Sequence, residues 1–142
     1  TIPWCSSWVN LCLIGANARI NPAATRELLT KKGFNQATVH RVFQFAKVPI
    51  EFRSINTQLP IYAPTWSANS KSWDTWGRAI PIEHAQRGDL LRLTRDGGGH
   101  ICWLDEDTPG KVMLTVFGGN QSNQVCSSNL YARTRLVHVR RI

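Results

Sequence analysis

The feature that most constrains this chain is a change of hydrophobic periodicity near Gly88. Before it, residues 1–80 carry apolar side chains at helical spacing, in segments separated by Pro and Gly. After it, residues 88–142 carry short runs rich in apolar and β-branched residues, with turn sequences between them. Helices followed by consecutive short strands predict an α+β fold whose strands form an antiparallel sheet of four to six strands.

Helix start and stop signals predict four helices in the first half, because Pro and Asn favour helix starts and Gly favours helix ends. The predicted helices run from about Pro3 to Gly15 or soon after, from Asn21 to Gly33, from Asn35 to Val48 and from Thr65 to Trp76. The last of these would place three tryptophans on one face, an arrangement more typical of core packing than of a ligand site.

Five strands are predicted in the second half from their apolar and β-branched content. They are Leu90–Thr94, His100–Asp105, Lys111–Phe117, Val125–Ser128 and Leu136–Arg140. The turn sequences Gly97-Gly98-Gly99 and Asp107-Thr108-Pro109-Gly110 separate the first three, so these strands are expected to pair as a meander.

The length of 142 residues fits a single domain, 1–142, with a helical insertion at 18–64. No apolar run approaches the roughly 20 residues that would span a bilayer, so no transmembrane segment is expected. The chain begins at Thr1, without a methionine or a signal-like leader, which suggests a processed product or a domain of a longer chain.

The chain is strongly basic, with 17 Lys and Arg residues against 9 acidic ones and a formal net charge of +8. Such a surplus favours polyanionic partners, namely nucleic acid, an anionic membrane or an acidic cell envelope. A basic surface that is merely solvated is the alternative. Because no block of five like charges occurs, a nucleic-acid-binding arm is not indicated.

Four cysteines stand at positions 5, 12, 102 and 126. They form no C-x-x-C pair and no Cys/His spacing typical of zinc sites, so neither a metal nor a cofactor is expected. Their number allows two disulfides, but the density is below that of a stapled secreted domain. One reduced, activated cysteine is the simpler interpretation, and the redox state of the others stays open.

Cys5 is the candidate nucleophile, because it lies at the predicted N-terminus of the first helix. Unpaired backbone N–H groups and the helix dipole favour a thiolate at that position. The N–H of Cys5 itself would face an oxyanion at an attacked carbonyl. A buried structural cysteine is the alternative, since such cysteines are common.

His100 is the candidate base, because an imidazole can take a thiol proton and return it to a leaving amine. The three glycines before it remove side-chain bulk and would let a substrate backbone approach the ring. Strand alternation places Cys102 on the same face. Asn120 is predicted to accept a hydrogen bond from the far imidazole N–H, with Gln121 as second choice, because the next strand returns beside His100.

Five stretches of the sequence, which include the candidate residues, occur in the same order as in a known group of enzymes. The matching stretches are Pro3-Trp4-Cys5-Ser6-Ser7-Trp8-Val9-Asn10, Ser67 to Gly77, Gly88-Asp89-Leu90-Leu91, Gly99-His100-Ile101 and Gly118-Gly119-Asn120-Gln121-Ser122-Asn123. Together they cover about half of the chain and resemble the papain-like cell-wall peptidases of the NlpC and CHAP (cysteine, histidine-dependent amidohydrolase/peptidase) families. The resemblance is greatest to a branch found in phage lysins and bacterial proteins.

The resemblance implies a papain-like arrangement in which an N-terminal helix carries the cysteine and packs on an antiparallel sheet that carries the histidine. By position it assigns Cys5, His100 and Asn120 as nucleophile, base and orienting residue. Trp4, Gly99, Gln121 and Trp73 are the predicted substrate-binding residues. The chain departs from the family pattern in the helical insertion and in having glycines where many CHAP domains have a glutamate before the asparagine.

The predicted function is hydrolysis of an amide bond in peptidoglycan, an anionic cell-wall polymer, with no metal and no cofactor. The expected place of action is the bacterial cell wall, by a phage lysin or an exported protein. Two alternatives stay open. One is a non-catalytic module that binds cell wall or nucleic acid; the other is a papain-like protease or acyltransferase that acts on protein.

Overall fold

The computed structural model describes residues 4–106 and 111–142, without the side chains of Asn129 and Leu130. The predicted helix start at Pro3 and the predicted turn at 107–110 lie outside the described residues. Among the helices described, none is both long and apolar enough to cross a membrane. The chain forms two compact units, one of Asn10–Pro64 and one of Thr1–Val9 with Thr65–Ile142.

The helical unit contains most of α1 (Cys5–Ile20) and all of α2 (Pro22–Lys31) and α3 (Gln36–Phe45). The predicted caps are confirmed, because the side chains of Asn21 and Asn35 accept hydrogen bonds from backbone N–H groups of the helices that follow them. Helix α1 continues to Ile20, whereas its end was predicted at Gly15 or soon after. A side chain there would meet the ring of Phe45, so the glycine permits close packing inside the helix and does not end it.

The predicted fourth helix, Thr65 to Trp76, is wrong. Only a short 3₁₀ turn forms, at Ser70–Trp73, and Trp66 before it has a positive φ of 57°. Side chains of the segment bond to nearby backbone instead: Ser67 accepts from the Asn69 N–H and Asn69 from the Lys71 N–H. Ser and Asn compete with helical hydrogen bonds in this way, and the tryptophan spacing did not reveal that competition.

The sheet has six antiparallel strands in the order β1-β6-β2-β3-β4-β5. Their bounds are β1 Arg78–Ile80, β2 Leu90–Arg95, β3 Gly98–Leu104, β4 Met113–Gln121, β5 Gln124–Ala132 and β6 Leu136–Arg141. All five predicted strands and the meander of β2 to β5 are present. The three-residue edge strand β1 was missed, because it is too short to show alternation.

One face of the sheet carries a hydrophobic core. Its buried members are Leu91, Leu93, Cys102, Leu104, Leu114, Val116, Tyr131, Leu136 and Val139. The first turn of α1 packs at the other face, where Trp8 meets Phe117 edge to face with ring centroids 6.4 Å apart. The two faces therefore have different coverings, and His100, which pairs with Leu93, points to the core face.

Gly119 on β4 makes the contact with α1 possible. A Cβ atom at this position would lie 2.7 Å from Trp4 Cζ3 and 2.7 Å from Trp8 Cβ. We therefore expect Gly119→Ala to lower the free energy of unfolding by about 1–3 kcal/mol, because an added methyl group must displace two indoles. Urea denaturation of both proteins measures this. An unchanged midpoint would contradict the close contact.

Candidate active site

Cys5 is the first residue of α1 and lines a cavity of about 310 Å³. The Trp4 carbonyl accepts the first helical hydrogen bond, from the Trp8 N–H, so Cys5 follows the cap directly. The first four N–H groups of a helix have no partner within the helix, and they favour negative charge at this end. The prediction that Cys5 lies at a helix N-terminus is thus confirmed.

The first turn of α1 is fixed by a buried hydrogen-bond chain next to Cys5. Trp73 Nε1 donates to Ser6 Oγ at 2.8 Å, and Ser6 Oγ donates to the Ser67 carbonyl at 2.5 Å. Trp73 is fully buried, and Asp74 after it forms an ion pair with Arg92 on β2. This chain ties the segment before β1 to the helix end that carries the candidate nucleophile.

His100 lies near the start of β3 and is fully buried. Its Nε2 is 3.1 Å from Gln121 Oε1. The Gln121 amide is oriented by its own donors, since Nε2 of Gln121 donates to the Cys126 carbonyl at 2.5 Å. The amide oxygen therefore faces the ring and accepts a hydrogen bond from the His100 Nε2–H, which leaves the lone pair of the neutral ring on Nδ1.

The residue that orients His100 is Gln121 and not Asn120, which corrects the first choice from the sequence. Gly118 shares the face of Cys102, so plain alternation would place Asn120 on that face as well. The pairing of β4 with β5 shifts by one residue between Gly118 and Gln121, and Asn120 has a φ of 58°. This bulge moves Gln121 onto the face of His100.

Burial controls the charge of His100. The pKa of His100 is lowered from 6.5 to about 4, mainly by burial; the hydrogen bond to Gln121 opposes this shift, and the charge of Arg95 adds to it. The ring also stacks on Tyr131, with centroids 5.0 Å apart. His100 is therefore neutral at pH 7. Its buried Nδ1 has no hydrogen-bond partner among the residues that the structure describes.

Cys102 lies near both candidate groups. It is two residues from His100 on the same face of β3. Burial, and then the nearby Cys5 thiol, raise the pKa of Cys102, so Cys102 stays protonated. The four cysteines are free thiols in the structure as described, and Cys5 is not held in a disulfide.

The residues predicted to bind substrate fall into two groups. Gly99 lines the cavity, and Trp4 is partly exposed with its Nε1 donating to Asn123 Oδ1 at 3.3 Å. Trp73 and Gln121 are fully buried and have structural partners, so a substrate cannot reach them. Their assignment as substrate-binding residues is corrected accordingly.

Three residues near the site were not identified from the sequence. Arg95 and Ser70 line the cavity with Cys5, and Tyr131 stacks on His100. A signal was present only for Arg95, because it lies across the hairpin turn from the glycines before His100. In the described ranges no group of three His, Cys, Asp or Glu side chains is arranged to hold a metal ion.

The lowered pKa of His100 gives a stability prediction. The unfolded chain takes up a proton near pH 6.5, whereas the folded chain does so only near pH 4. The contribution of this residue to the free energy of unfolding is present above pH 6.5. It falls by about 3 kcal/mol as the pH is lowered to 4. Urea unfolding at pH 7 and pH 4 should show this difference for the wild-type chain and not for His100→Gln. Equal losses in both would contradict it.

Comparisons of the chain with protein-family models, with curated proteins and with solved structures found no match. The function is therefore inferred from the chemistry of the residues around the cavity.

Proposed function

We propose that this chain is a cysteine-dependent hydrolase that cleaves an amide bond of bacterial cell-wall peptide, with a papain-like arrangement of its residues. The observation that carries the proposal is a complementary pair of groups next to Cys102. One is a thiol at a helix N-terminus that lines a cavity. The other is a neutral histidine whose Nε2 is held by Gln121 and whose Nδ1 is unpartnered among the described residues.

The chemistry that suits this pair is acyl transfer. Cys5 gives its proton to His100 Nδ1, and its sulfur attacks the amide carbonyl carbon. The resulting oxyanion accepts a hydrogen bond from the Cys5 N–H at the helix end. The carbon–nitrogen bond then breaks, the leaving amine takes the proton from His100, and a thioester on Cys5 remains.

Hydrolysis of the thioester uses the same base. Water gives a proton to His100 Nδ1 as its oxygen attacks the thioester carbonyl, and the carboxylic acid product leaves. The sulfur regains the proton from His100. Gln121 holds the same tautomer throughout, because its amide oxygen can only accept from the Nε2–H.

The mechanism requires Cys5 Sγ and His100 Nδ1 to meet at hydrogen-bond distance. In the described structure Nδ1 makes no such bond. Because His100 points to the core face and the first turn of α1 packs at the other face, the proposal requires a movement that brings the two atoms together, in the free protein as well as with substrate bound. Because the Gly97–Gly99 turn has no side chains, a substrate backbone can enter the cavity beside Cys5.

The proposed substrate is peptidoglycan peptide, and the proposed place of action is the bacterial cell wall. The formal net charge of +8 supports this, because a basic surface concentrates an enzyme on anionic wall polymers. The attraction should weaken with added salt, since ions screen it over about 10 Å at 0.1 M.

Digestion of purified peptidoglycan, followed by mass spectrometry of the soluble fragments, tests the proposed function. We expect new pairs of amine and carboxylate ends, and we expect iodoacetamide treatment of the protein to prevent them. Casein is the comparison substrate. Cleavage of casein without cleavage of peptidoglycan would favour a protease. Binding to peptidoglycan that persists after alkylation, with no new ends at any stage, would favour a binding module.

A further inference from the structure

Arg95 places a positive charge in the cavity that Cys5 lines. The remaining lining consists of Ala68, Asn69, Ser70 and the three glycines 97–99, so the lining as described contains no carboxylate. A single guanidinium among neutral groups, beside a candidate nucleophile, makes the cavity selective for negative charge.

The guanidinium is positioned but not neutralised. Arg95 NH1 donates to the Asn120 carbonyl at 3.1 Å and lies 3.5 Å from the Tyr131 hydroxyl. No acidic side chain within the described ranges forms an ion pair with Arg95. Its other donors stay available for a ligand, and the fork geometry of a guanidinium fits a carboxylate.

Two arginines that form short ion pairs contrast with Arg95. Arg92 bonds to Asp74, and Arg141 bonds to Asp89 through two nitrogens. A half-buried arginine that lacks such a partner loses hydration without a full replacement. A bound carboxylate would supply that replacement.

We propose that Arg95 is the specificity residue of the site and binds a free carboxylate of the substrate peptide close to the bond that is cut. This inference rests on the proposed function, and it narrows the substrate to stem peptides that carry an ionised carboxylate at this position. Amidation of that carboxylate removes the negative charge and gives a poor substrate.

The test uses the stem tetrapeptide L-alanyl-γ-D-glutamyl-L-lysyl-D-alanine and two forms in which one carboxylate, on glutamate or on the last alanine, is a carboxamide. Binding to Cys5→Ala is measured by calorimetry, so that no cleavage is needed. We expect one of the two amidated forms to bind at least about tenfold more weakly than the parent peptide.

The same measurement with Cys5→Ala/Arg95→Gln should give equal affinities for all three peptides, and Arg95→Lys should restore part of the preference. A preference that survives Arg95→Gln overturns the assignment, and so does the absence of any preference with Arg95 present. If Arg95→Gln weakens the binding of all three peptides by the same factor, the preference persists and the role of Arg95 is structural. That result also overturns the assignment.

Cleavage of the same peptides by the chain with Cys5 intact separates this inference from the proposed function. A carboxylate preference that depends on Arg95, without any cleavage, supports the binding site and contradicts the hydrolase. Cleavage of all three peptides at equal rates supports the hydrolase and contradicts the role of Arg95.

Discussion

Replacing Cys5 by Ala should stop the release of peptide fragments from purified peptidoglycan, with a fall in kcat/KM of at least about 10³-fold. The substitution removes the sulfur that forms the thioester, and neither Cys102 nor Cys12 is expected to take its place. Burial raises the pKa of Cys102, and burial raises the pKa of Cys12 to about 11, so both stay protonated. The appearance of new amine ends, followed over time, measures the effect.

Cys12→Ala is the matched control, because it removes another thiol from the same helix. It should keep the wild-type rate. Circular dichroism of both variants reports whether the helix is intact. A folded Cys5→Ala protein that retains more than a tenth of the activity would show that Cys5 is not the nucleophile.

Replacing His100 by Ala should lower kcat/KM by about 10²–10⁴-fold, the range typical for loss of a general base. The variant lacks the group that takes the thiol proton and protonates the leaving amine. Fragment release from peptidoglycan measures this, as for Cys5. His84→Ala is the control, since His84 is exposed and lies in the short turn before β2, away from the cavity lining.

The substitution also removes a buried ring that stacks on Tyr131 and bonds to Gln121, so part of any loss could come from unfolding. His100→Gln keeps a polar group of similar size and provides a second variant. If either variant is folded, as judged by its thermal unfolding, and retains wild-type activity, the role of His100 as base is contradicted.

The helix caps show how far local sequence signals extend. Asn21 and Asn35 cap α2 and α3 as predicted, because capping depends only on residues within one turn. The prediction of Thr65 to Trp76 as a helix fails for a tertiary reason as well as through the local bonds of Ser67 and Asn69. Trp73 is fixed by its bond to Ser6, which is 67 residues away in sequence. Spacing alone does not contain such a contact.

The candidate site was predictable only where it depends on local sequence signals. Cys5 and His100 occupy the predicted helix end and strand, since both follow from local signals. The choice between Asn120 and Gln121 depended on a one-residue bulge, which reverses the faces of the strand beyond it. Whether Arg95 forms an ion pair depends on which carboxylates lie near it in space, and no sequence pattern specifies that.

The central claim is that Cys5 and His100 act as a pair, and the rate at which iodoacetamide alkylates Cys5 at pH 7 tests it most directly. The cavity gives a small reagent access to the sulfur, and peptide mass spectrometry resolves each cysteine. The account predicts that Cys5 reacts faster than Cys12, and that His100→Ala slows Cys5 by at least about tenfold because the proton acceptor is lost. An equal rate for Cys5 in wild-type and folded His100→Ala protein would contradict it.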